Sequence, residues 1–208
     1  MKILHTLFIL LALSTSTFAS CNIDYYYSKV GNQSGYELKS VLNSILASTH
    51  RPKSYDALIG AYAKTDLDTT YENDGTLMDI YSENPTGKDP YTYRSGRKKC
   101  GNYRVESDCY NREHLFPQGT FHKRRPMRSD IFHVFPTDGK VNGNRGSYPF
   151  GEVSKAFWTS KNGSKTGKNT FSNYRGVVFE PIDEFKGDIA RAMFYFATRY
   201  ENQVRSFK

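Results

Sequence analysis

Two polar stretches of the chain carry groups that can handle a metal ion and a phosphate. Residues 108–119 read DCYNREHLFPQG, and residues 137–146 read TDGKVNGNRG. The first stretch places Glu113 beside His114 just before a Phe-Pro pair, and the second places Asn142 among glycines. A neutral histidine can take a proton from water, and carboxylate and amide oxygens suit a hard cation such as Mg2+. These residue types are the ones that phosphodiester hydrolysis requires.

The same stretches predict a compact unit of two strands and a helix. Neighbouring strand residues point to opposite faces, so Glu113 and His114 can serve one site only where the strand ends or bends. A proline and a glycine that follow within a few residues predict such a break. The segment IFHVFP, residues 131–136, predicts a returning strand, and TDGK predicts the turn into a short helix that carries Asn142. The expected result is a ββα unit with metal ligands from a strand and a helix.

The rest of the chain predicts helices and short strands in one domain. Hydrophobic periodicity predicts helices over residues 36–48, 55–62 and about 183–204. Turn formers dominate residues 65–96, where LMDIY predicts a short strand. Residues 157–169, rich in Lys, Gly and Asn, predict a flexible basic loop, and GVVFEP predicts the strand after it. The expected fold class is α+β, with mixed helices and short strands around the ββα unit, as a single domain over residues 21–208.

The first 20 residues predict a secretory signal peptide. One Lys precedes the apolar run LFILLAL, which is too short to span a bilayer, and small residues follow it. Thr17 and Ala19 fit a small-x-small rule for cleavage after Ala19. Ser20 followed by Cys21 also resembles a lipoprotein cleavage site, although Phe18 stands where such sites carry Leu. The chain is therefore expected to be secreted or periplasmic, with a membrane-anchored lipoprotein, lipidated at Cys21, as the alternative.

The charge of the chain narrows the classes of partner without identifying one. Lys and Arg number 29 against 21 Asp and Glu, which gives a formal net charge of +8. A basic exported protein attracts polyanions such as nucleic acid, anionic lipid or acidic glycan. The same surplus would also serve solubility alone.

The cysteines predict one disulfide, between Cys100 and Cys109. The chain has 3 cysteines, an odd number for an exported protein, in which paired thiols are expected. With Cys21 lipidated or otherwise exposed, the other two remain as a local pair that closes the loop GNYRVESD. A zinc site built from these two cysteines, His114 and His133 is an alternative, but the chain lacks the paired short spacings of structural zinc sites.

Several motifs, in order along the chain, resemble the endonuclease I family of exported bacterial nucleases. They are YNREHLFPQ, PMRSD, FPTDGKVNGNRG with YPFGEV, and FEPIDEFKGDIARAMFYFATRYE, and the resemblance runs from about Tyr25 to the C-terminus. Their order makes the match far more specific than an isolated REH or NGNR. The resemblance implies a ββα-metal nuclease that uses Mg2+, or a similar ion such as Mn2+ or Ca2+, and leaves 5′-phosphates. The implied substrates are DNA, RNA or both, with little sequence preference, and a monomer is expected.

The resemblance also implies roles for individual residues. His114 would be the general base that activates water, and Glu113 and Asn142 would hold the metal. The family uses an arginine to steady the phosphate. The candidates for this arginine are Arg112, Arg128 and Arg145. Arg145 is the first choice because it lies three residues beyond Asn142 on the predicted helix, a spacing that shares a face.

Further basic residues are expected to hold the substrate backbone. Phosphate contacts position a nucleic acid without reading its bases, so this role needs positive charge and no particular motif. The segment Lys161 to Lys168 is one candidate surface. The individual candidates are Arg112, Lys140, Arg191 and Arg199, the last two on the predicted C-terminal helix, where a solvated face is the alternative interpretation.

One segment departs from the family pattern. Many relatives read DLHHL or DMHNL where residues 130–134 read DIFHV, so that Phe132 replaces the first His. The positions of the base and the metal ligands are unchanged, and the change is interpreted as a packing variation on the second strand. A supporting role for His133 is left open, with a core histidine bonded to backbone as the alternative.

Two other functions compete with a nuclease. One is a non-catalytic exported protein that binds nucleic acid or another polyanion on the same fold, which the intact Glu113, His114 and Asn142 disfavour. The other is a zinc hydrolase, which the absence of HExxH disfavours. Taken singly, these residues could be a surface pair and a turn, but neither interpretation explains the linked motifs.

Overall fold

The structure is a computed structural model that describes residues 22–207. The predicted signal peptide, its cleavage site and the lipidation of Cys21 lie outside the described residues. Among residues 22–207, none of the helices combines the length and the hydropathy that crossing a bilayer requires. The described chain mixes helices with short antiparallel strands, which confirms the predicted α+β class.

The predicted C-terminal and N-terminal helices are confirmed with small shifts in their bounds. The helices are α1 (Ile23–Tyr26), α2 (Gly35–Thr49), α3 (Ala57–Thr65), α4 (Gly139–Arg145), α5 (Asp183–Arg199) and α6 (Glu201–Val204), with a short 3-10 helix over Met127–Ser129. The strands are β1 (Tyr110–His114), β2 (Val134–Asp138), β3 (Val153–Thr159), β4 (Lys165–Asn169) and β5 (Val177–Glu180). The long C-terminal helix that the sequence predicts is interrupted at Tyr200, so it forms α5 and α6.

The predicted ββα unit is confirmed. β1 and β2 pair antiparallel, with Glu113 opposite Phe135 and His114 opposite Val134. β2 begins three residues later than predicted, because residues 131–133 form a turn. The carboxylate of Asp138 then accepts a hydrogen bond from the Val141 N–H at 2.9 Å and caps the N-terminus of α4. The unit therefore ends its first strand at His114, as the proline that follows predicts.

The predicted flexible basic loop over residues 157–169 is wrong. This segment is the end of β3, a tight turn and β4, and β4 pairs antiparallel with both β3 and β5. Ser160 N–H donates to the Ser164 carbonyl at 2.8 Å, and Gly163 takes a φ of +101° that favours glycine. The Lys and Gly content indicated a loop, whereas the pairing is decided by contact with the distant strand β5.

The predicted strand LMDIY is also wrong. Leu77 alone forms an isolated bridge, with Leu67, and the chain then turns. The buried carboxylate of Asp79 accepts hydrogen bonds from the N–H groups of Tyr81 and Asp138, each at 2.9 Å. The Asp79 carboxylate therefore bonds backbone N–H groups directly, and this local bonding competes with strand formation in the segment.

The disulfide between Cys100 and Cys109 is confirmed, and the loop that it closes packs on α4. A Cβ at Gly139 would overlap Cys100 Sγ, and one at Gly143 would overlap the Tyr103 hydroxyl. Gly139, just before the NGNR stretch, and Gly143 within it therefore both lie where close packing leaves little room for a side chain. Because both cysteines are consumed by the disulfide, the zinc site that the sequence left as an alternative is excluded.

The core holds the ββα unit from both sides. On one side, Leu115 and Val141 pack with Phe179 of β5 and Ile189 of α5. On the other side, Leu58, Tyr62, Leu77, Tyr93, Tyr110 and Val134 form a second buried cluster, which joins α3 to β1 and β2. Complete burial of one such apolar side chain contributes roughly 1.5–3 kcal/mol. The site at the end of β1 is thus built on packed elements, in contrast to the irregular surface around it.

Candidate active site

The carboxylate of Glu113 is buried and held by two groups. It is 2% exposed, and its Oε1 atom accepts a hydrogen bond from the Tyr81 hydroxyl at 2.9 Å. The same oxygen lies 3.1 Å from an Nη atom of Arg145. Burial raises the pKa of Glu113, and the contacts with Arg145 and Tyr81 oppose the rise without cancelling it. Within residues 22–207, the Tyr81 hydrogen bond and the Arg145 ion pair both use Oε1, and the backbone N–H of His114 is a further donor to the carboxylate.

Arg145 is a buried residue that binds protein groups. It is 2% exposed, and its guanidinium donates to the carbonyl oxygens of His114 at 2.9 Å and Leu115 at 2.6 Å. It also stacks over the Phe150 ring at 4.7 Å. The predicted shared face with Asn142 is present, since both belong to α4, but the guanidinium points into the protein. These contacts tie α4 to the end of β1.

The amide of Asn142 is oriented by a neighbouring amide. Its Nδ2 atom donates to Oδ1 of Asn111 at 2.5 Å. Because the amide nitrogen is the donor in this bond, the side-chain oxygen Oδ1 of Asn142 is directed elsewhere and can act as a ligand. Asn111 lies two residues before Glu113 on β1, so the two side chains leave the strand on the same side.

The alternation of β1 separates two sets of contacts. The side chains of Asn111 and Glu113 both contact α4, through Asn142 and Arg145. The side chains of Arg112 and His114 instead lie against the ring of Tyr55. The two sets meet where β1 ends at His114. A metal held by oxygens on the α4 side would therefore lie across the end of the strand from the imidazole.

The imidazole of His114 is buried and neutral. It is 4% exposed, and burial lowers its pKa to about 4. Nε2 lies 3.0 Å from the carbonyl oxygen of Arg128. A carbonyl can only accept, so the Arg128 contact favours the tautomer that carries the proton on Nε2, while the backbone of Arg112 is a second hydrogen-bond partner of the ring. The ring is therefore held in the tautomer that a proton acceptor requires.

Two of the candidate arginines lie beside this imidazole. The guanidinium of Arg112 is 3.8 Å from the centre of the Tyr55 ring, and that of Arg128 is 4.1 Å from it. Arg112 also donates to the Tyr55 carbonyl at 2.9 Å and pairs with Asp56 at 3.3 Å. Within residues 22–207, the guanidinium of Arg128 makes no hydrogen bond or ion pair, and its Nε is buried without a partner. Arg128 therefore has free donors next to His114.

The other predicted substrate-binding residues lie elsewhere or are engaged. Lys140 is half-buried in the first turn of α4. Arg191 is exposed on α5 and pairs with Asp188 of the same helix. Arg199 lies over the ring of Tyr200 at 4.8 Å. Among the described residues, Arg191 and Arg199 make no ion pair or hydrogen bond with β1 or α4.

The segment that departs from the family pattern reaches the site only through His133, whose ring centre lies 5.9 Å from that of His114. Phe132 is 63% exposed and packs on Tyr195 with 5.0 Å between ring centres. His133 is fully buried, and its Nε2 bonds the Met127 carbonyl at 2.7 Å. Burial lowers the pKa of His133 to about 4. The substitution at residue 132 thus changes a surface contact, and His133 is a core histidine bonded to backbone, the alternative that the sequence left open.

The donor set fits a hard divalent cation. Oε2 of Glu113 and Oδ1 of Asn142 are a carboxylate and an amide oxygen, and such ions commonly take one or two protein oxygens with water completing the shell. The pKa of the buried Glu113 carboxylate is raised even though Arg145 lies beside it. The arginine therefore does not fully stabilise the negative charge, and a cation would stabilise it further. The side chains of Glu113 and Asn142 are each fixed by a second group, Tyr81 or Asn111, as ligands of metal sites usually are.

Sequence reasoning missed three residues that build the site, namely Tyr55, Tyr81 and Asn111. Asn111 had a local indicator, since it precedes Glu113 by two positions on a predicted strand. Tyr81 and Tyr55 lie 32 and 59 residues before their partners Glu113 and His114, on segments without regular structure at those positions. No pattern in the sequence connects them to the site.

Comparison with known proteins gives a consistent set of matches. The family described as Endonuclease I matches residues 34–208. An extracellular ribonuclease of Bacillus amyloliquefaciens is 34% identical over 184 residues, which cover 88% of this chain and 55% of that protein. An extracellular ribonuclease of Bacillus subtilis (strain 168) is 31% identical over 194 residues, 92% of this chain and 59% of that protein. The chain thus spans less than two thirds of the length of these relatives, and no solved structure matches it.

Proposed function

The chain belongs to the endonuclease I family, and we propose that it is an exported, metal-dependent endonuclease that cleaves RNA, DNA or both with little sequence preference. The observation that carries the proposal is the neutral His114 imidazole, held through Nε2 by the Arg128 carbonyl at the end of the strand that carries Glu113. The names of the two relatives, both extracellular ribonucleases, favour export and make RNA the first substrate to test.

His114 would act as the general base. Its Nδ1 lone pair takes a proton from the attacking water, and the imidazolium that forms is stabilised by the Nε2 hydrogen bond to Arg128 O. A ring with a pKa of about 4 is unprotonated throughout the neutral pH range, so the base is available without prior activation. Attack at phosphorus with departure of the 3′ oxygen leaves a 5′-phosphate and a 3′-hydroxyl.

Glu113 and Asn142 would hold the metal through Oε2 and Oδ1. A divalent cation bound there, Mg2+ or a similar ion such as Mn2+ or Ca2+, would stabilise the negative charge on the phosphate and on the leaving oxygen. Tyr81 and Arg145 fix the Glu113 carboxylate, and Asn111 fixes the Asn142 amide. The protein's part would therefore be to hold the Glu113 carboxylate and the Asn142 amide in fixed orientations on β1 and α4.

Arg128 would steady the scissile phosphate. Its guanidinium has free donors and lies against Tyr55, which also contacts His114. Arg112 is a weaker candidate because Asp56 and the Tyr55 carbonyl already engage it. The buried Arg145 would instead position Glu113 and the end of β1. This assignment moves the phosphate contact from Arg145, the first choice from sequence, to Arg128.

Substrate would be held largely by charge. A net charge of +8 attracts the phosphate backbone, and contacts with phosphates do not read base edges. Lys140, at the start of α4, is the one remaining candidate that lies within the ββα unit. Arg191 and Arg199 would contribute to the general field of the protein and make no specific contact at the site.

The proposal is tested by incubating the purified protein with RNA and with plasmid DNA, each in Mg2+ and in EDTA. Cleavage in Mg2+ that EDTA abolishes is expected, with 5′-phosphates on the products. His114→Ala serves as the inactive control. Binding of either polymer without cleavage in Mg2+ would contradict the proposal and favour a non-catalytic binding protein.

The location of the mature protein is a separate part of the proposal. Cleavage after Ala19 would give a secreted or periplasmic protein, and cleavage before Cys21 would give a lipoprotein. Mass spectrometry of the protein purified from its source distinguishes the two, because lipidation adds acyl chains to Cys21. Size-exclusion chromatography tests the expected monomer.

A further inference from the structure

An uncompensated acidic cluster lies on the irregular segment between α3 and β1. One carboxylate oxygen from each of Asp68, Glu72 and Glu83 lies within 4.8 Å of the others. Asp89 is close enough for its charge to act on Glu83. Within residues 22–207, no Lys or Arg forms an ion pair with any of these four side chains. The cluster is thus strongly acidic in a chain whose net charge is +8.

Glu83 is the residue of this cluster whose burial favours a bound cation. It is 1% exposed, and neither of its buried carboxylate oxygens makes a well-formed hydrogen bond within residues 22–207, with the Asp89 carboxyl and the Asn84 backbone as its nearest polar neighbours. Buried polar groups in folded proteins are nearly always paired, and an unpaired buried carboxylate is among the costliest exceptions. Burial, followed by the charges of Asp89, Glu72 and Asp68, raises the pKa of Glu83 to about 8. A cation among these oxygens would remove the cost.

Asp68 supplies a fixed negative charge at the base of the cluster. Its two oxygens accept hydrogen bonds from the backbone N–H groups of residues 70–73, at 2.8 to 3.3 Å. Burial acts to raise the pKa of Asp68, but the N–H donors of Tyr71, Glu72 and Thr70 outweigh it and lower the pKa. The same bonds wrap the chain around Asp68 and bring Glu72 over it.

We propose that Asp68, Glu72 and Glu83 bind a divalent cation, Ca2+ in preference to Mg2+, at a second site that shares no residue with Glu113 and Asn142. Three carboxylates in one place favour Ca2+, which takes six to eight oxygen ligands in flexible geometry. Mg2+ requires a near-ideal octahedron and usually keeps most of its water. The expected shell is completed by water or by Asp89.

Such an ion would join two parts of the irregular segment. Glu72 and Asp68 lie on its first part, and Glu83 lies two residues after Tyr81. The Tyr81 hydroxyl holds the carboxylate of Glu113. The ion would therefore stabilise the segment that positions a catalytic metal ligand, while itself taking no part in the reaction.

The test measures Ca2+ binding in a protein whose catalytic metal site has been weakened. Asn142→Ala provides this background, and isothermal titration with Ca2+ alone is expected to show one remaining site. Glu72 is exposed, so Glu72→Gln in the same background should fold and should weaken binding by at least ~10-fold, because affinity follows the number of charged ligands. Glu37→Gln, an exposed glutamate on α2, is the matched control and should leave binding unchanged.

Thermal unfolding gives an independent measurement of the same site. The Asn142→Ala protein should unfold at a higher temperature in Ca2+ than in EDTA, since a ligand that binds only the folded state stabilises it. Glu83→Gln should remove this difference and raise the unfolding temperature in EDTA, because it removes the unpaired carboxylate. Equal Ca2+ binding by the Glu72→Gln and Glu37→Gln proteins would overturn the proposal. The absence of any Ca2+ binding in the Asn142→Ala background would also overturn the proposal. A proton shared between Glu83 and Asp89 would then explain how the acidic cluster is tolerated.

Discussion

The main-chain carbonyl oxygen of Arg128 accepts a hydrogen bond from Nε2 of His114, with 3.0 Å between the two atoms. Because this acceptor belongs to the backbone, it survives any change of the Arg128 side chain. The guanidinium of the same residue lies over the Tyr55 ring and, within residues 22–207, makes no hydrogen bond or ion pair. One residue thus sets the tautomer of the base through its backbone and is proposed to bind phosphate through its side chain. The two contributions can be separated by substitution.

Arg128→Ala is expected to reduce kcat on RNA by about 100- to 1,000-fold, the usual cost of removing one donor that stabilises transition-state charge. The His114 hydrogen bond to backbone is retained, and because the Arg128 charge lowers the pKa of His114, the acid limb of the pH profile of kcat should move slightly upward in pH without changing its shape. Arg125→Ala removes an equal, exposed charge three residues earlier and serves as the control. If the two variants lose the same small fraction of activity, the guanidinium of Arg128 acts only through general charge.

Asn111→Ala is expected to loosen the metal without changing the base. The Asn142 amide loses its acceptor at Oδ1 of Asn111 and is free to rotate. The Mg2+ concentration for half-maximal activity should rise about 10- to 100-fold, with near-normal kcat at saturating Mg2+. Asn102→Ala, at an exposed turn, is the matched control. An unchanged Mg2+ dependence in Asn111→Ala would show that Asn142 needs no such support or is not a ligand.

The core of the site was predictable because it depends on local patterns. The spacing of Glu113, His114 and Asn142 around a proline and two glycines predicts the ββα unit, and the structure contains it. The burial of Arg145 was not predictable from the sequence. Arginine is usually exposed, and the groups that bury this one, the Glu113 carboxylate and the carbonyls of His114 and Leu115, lie about 30 residues earlier in the chain.

The β3–β4 hairpin could not be predicted from the composition of its segment. Its Lys, Gly and Asn content is typical of loops, but Gly167 sits where a Cβ would overlap the backbone of Lys155 on the partner strand. The glycine therefore serves close strand packing rather than flexibility. Strand pairing depends on partners distant in sequence, such as Val178 opposite Gly167, and propensity alone does not reveal them.

Arg145→Met is expected to destabilise the protein by roughly 3–5 kcal/mol, because it leaves the Glu113 carboxylate buried without its cation. Arg191→Met removes an exposed arginine of α5 and should change the free energy of unfolding by less than about 0.5 kcal/mol. Denaturant unfolding in EDTA measures both. A stable Arg145→Met protein that has lost only kcat would return the phosphate contact to Arg145.

His133 should make stability depend on acid. Burial lowers its pKa to about 4 from 6.5, against opposing contributions from the Met127 carbonyl and Asp130. His133 is therefore protonated below about pH 6.5 in the unfolded chain, but only below about pH 4 in the folded chain. The contribution of neutral His133 is complete above pH 6.5 and is lost as pH falls toward 4.

His133→Gln tests this contribution because glutamine can still donate to the Met127 carbonyl but does not titrate in this range. The variant's free energy of unfolding should fall less than that of the parent between pH 7 and pH 4.5, by roughly 1–3 kcal/mol. Both proteins contain the same buried carboxylates, so the contribution of these groups cancels when the pH dependence of the free energy of unfolding is compared between the two. Parallel pH dependence in the two proteins would mean that His133 titrates normally in the folded state.

The most direct test of the central claim is single-turnover cleavage of RNA by His114→Ala in saturating Mg2+. The rate is expected to be at least ~100-fold below that of the unmodified protein, with unchanged folding and unchanged Mg2+ dependence. Added imidazole should restore part of the rate, and His122→Asn, at an exposed histidine, should cleave normally. A folded His114→Ala protein that cleaves RNA at nearly the normal rate would show that His114 is not the base.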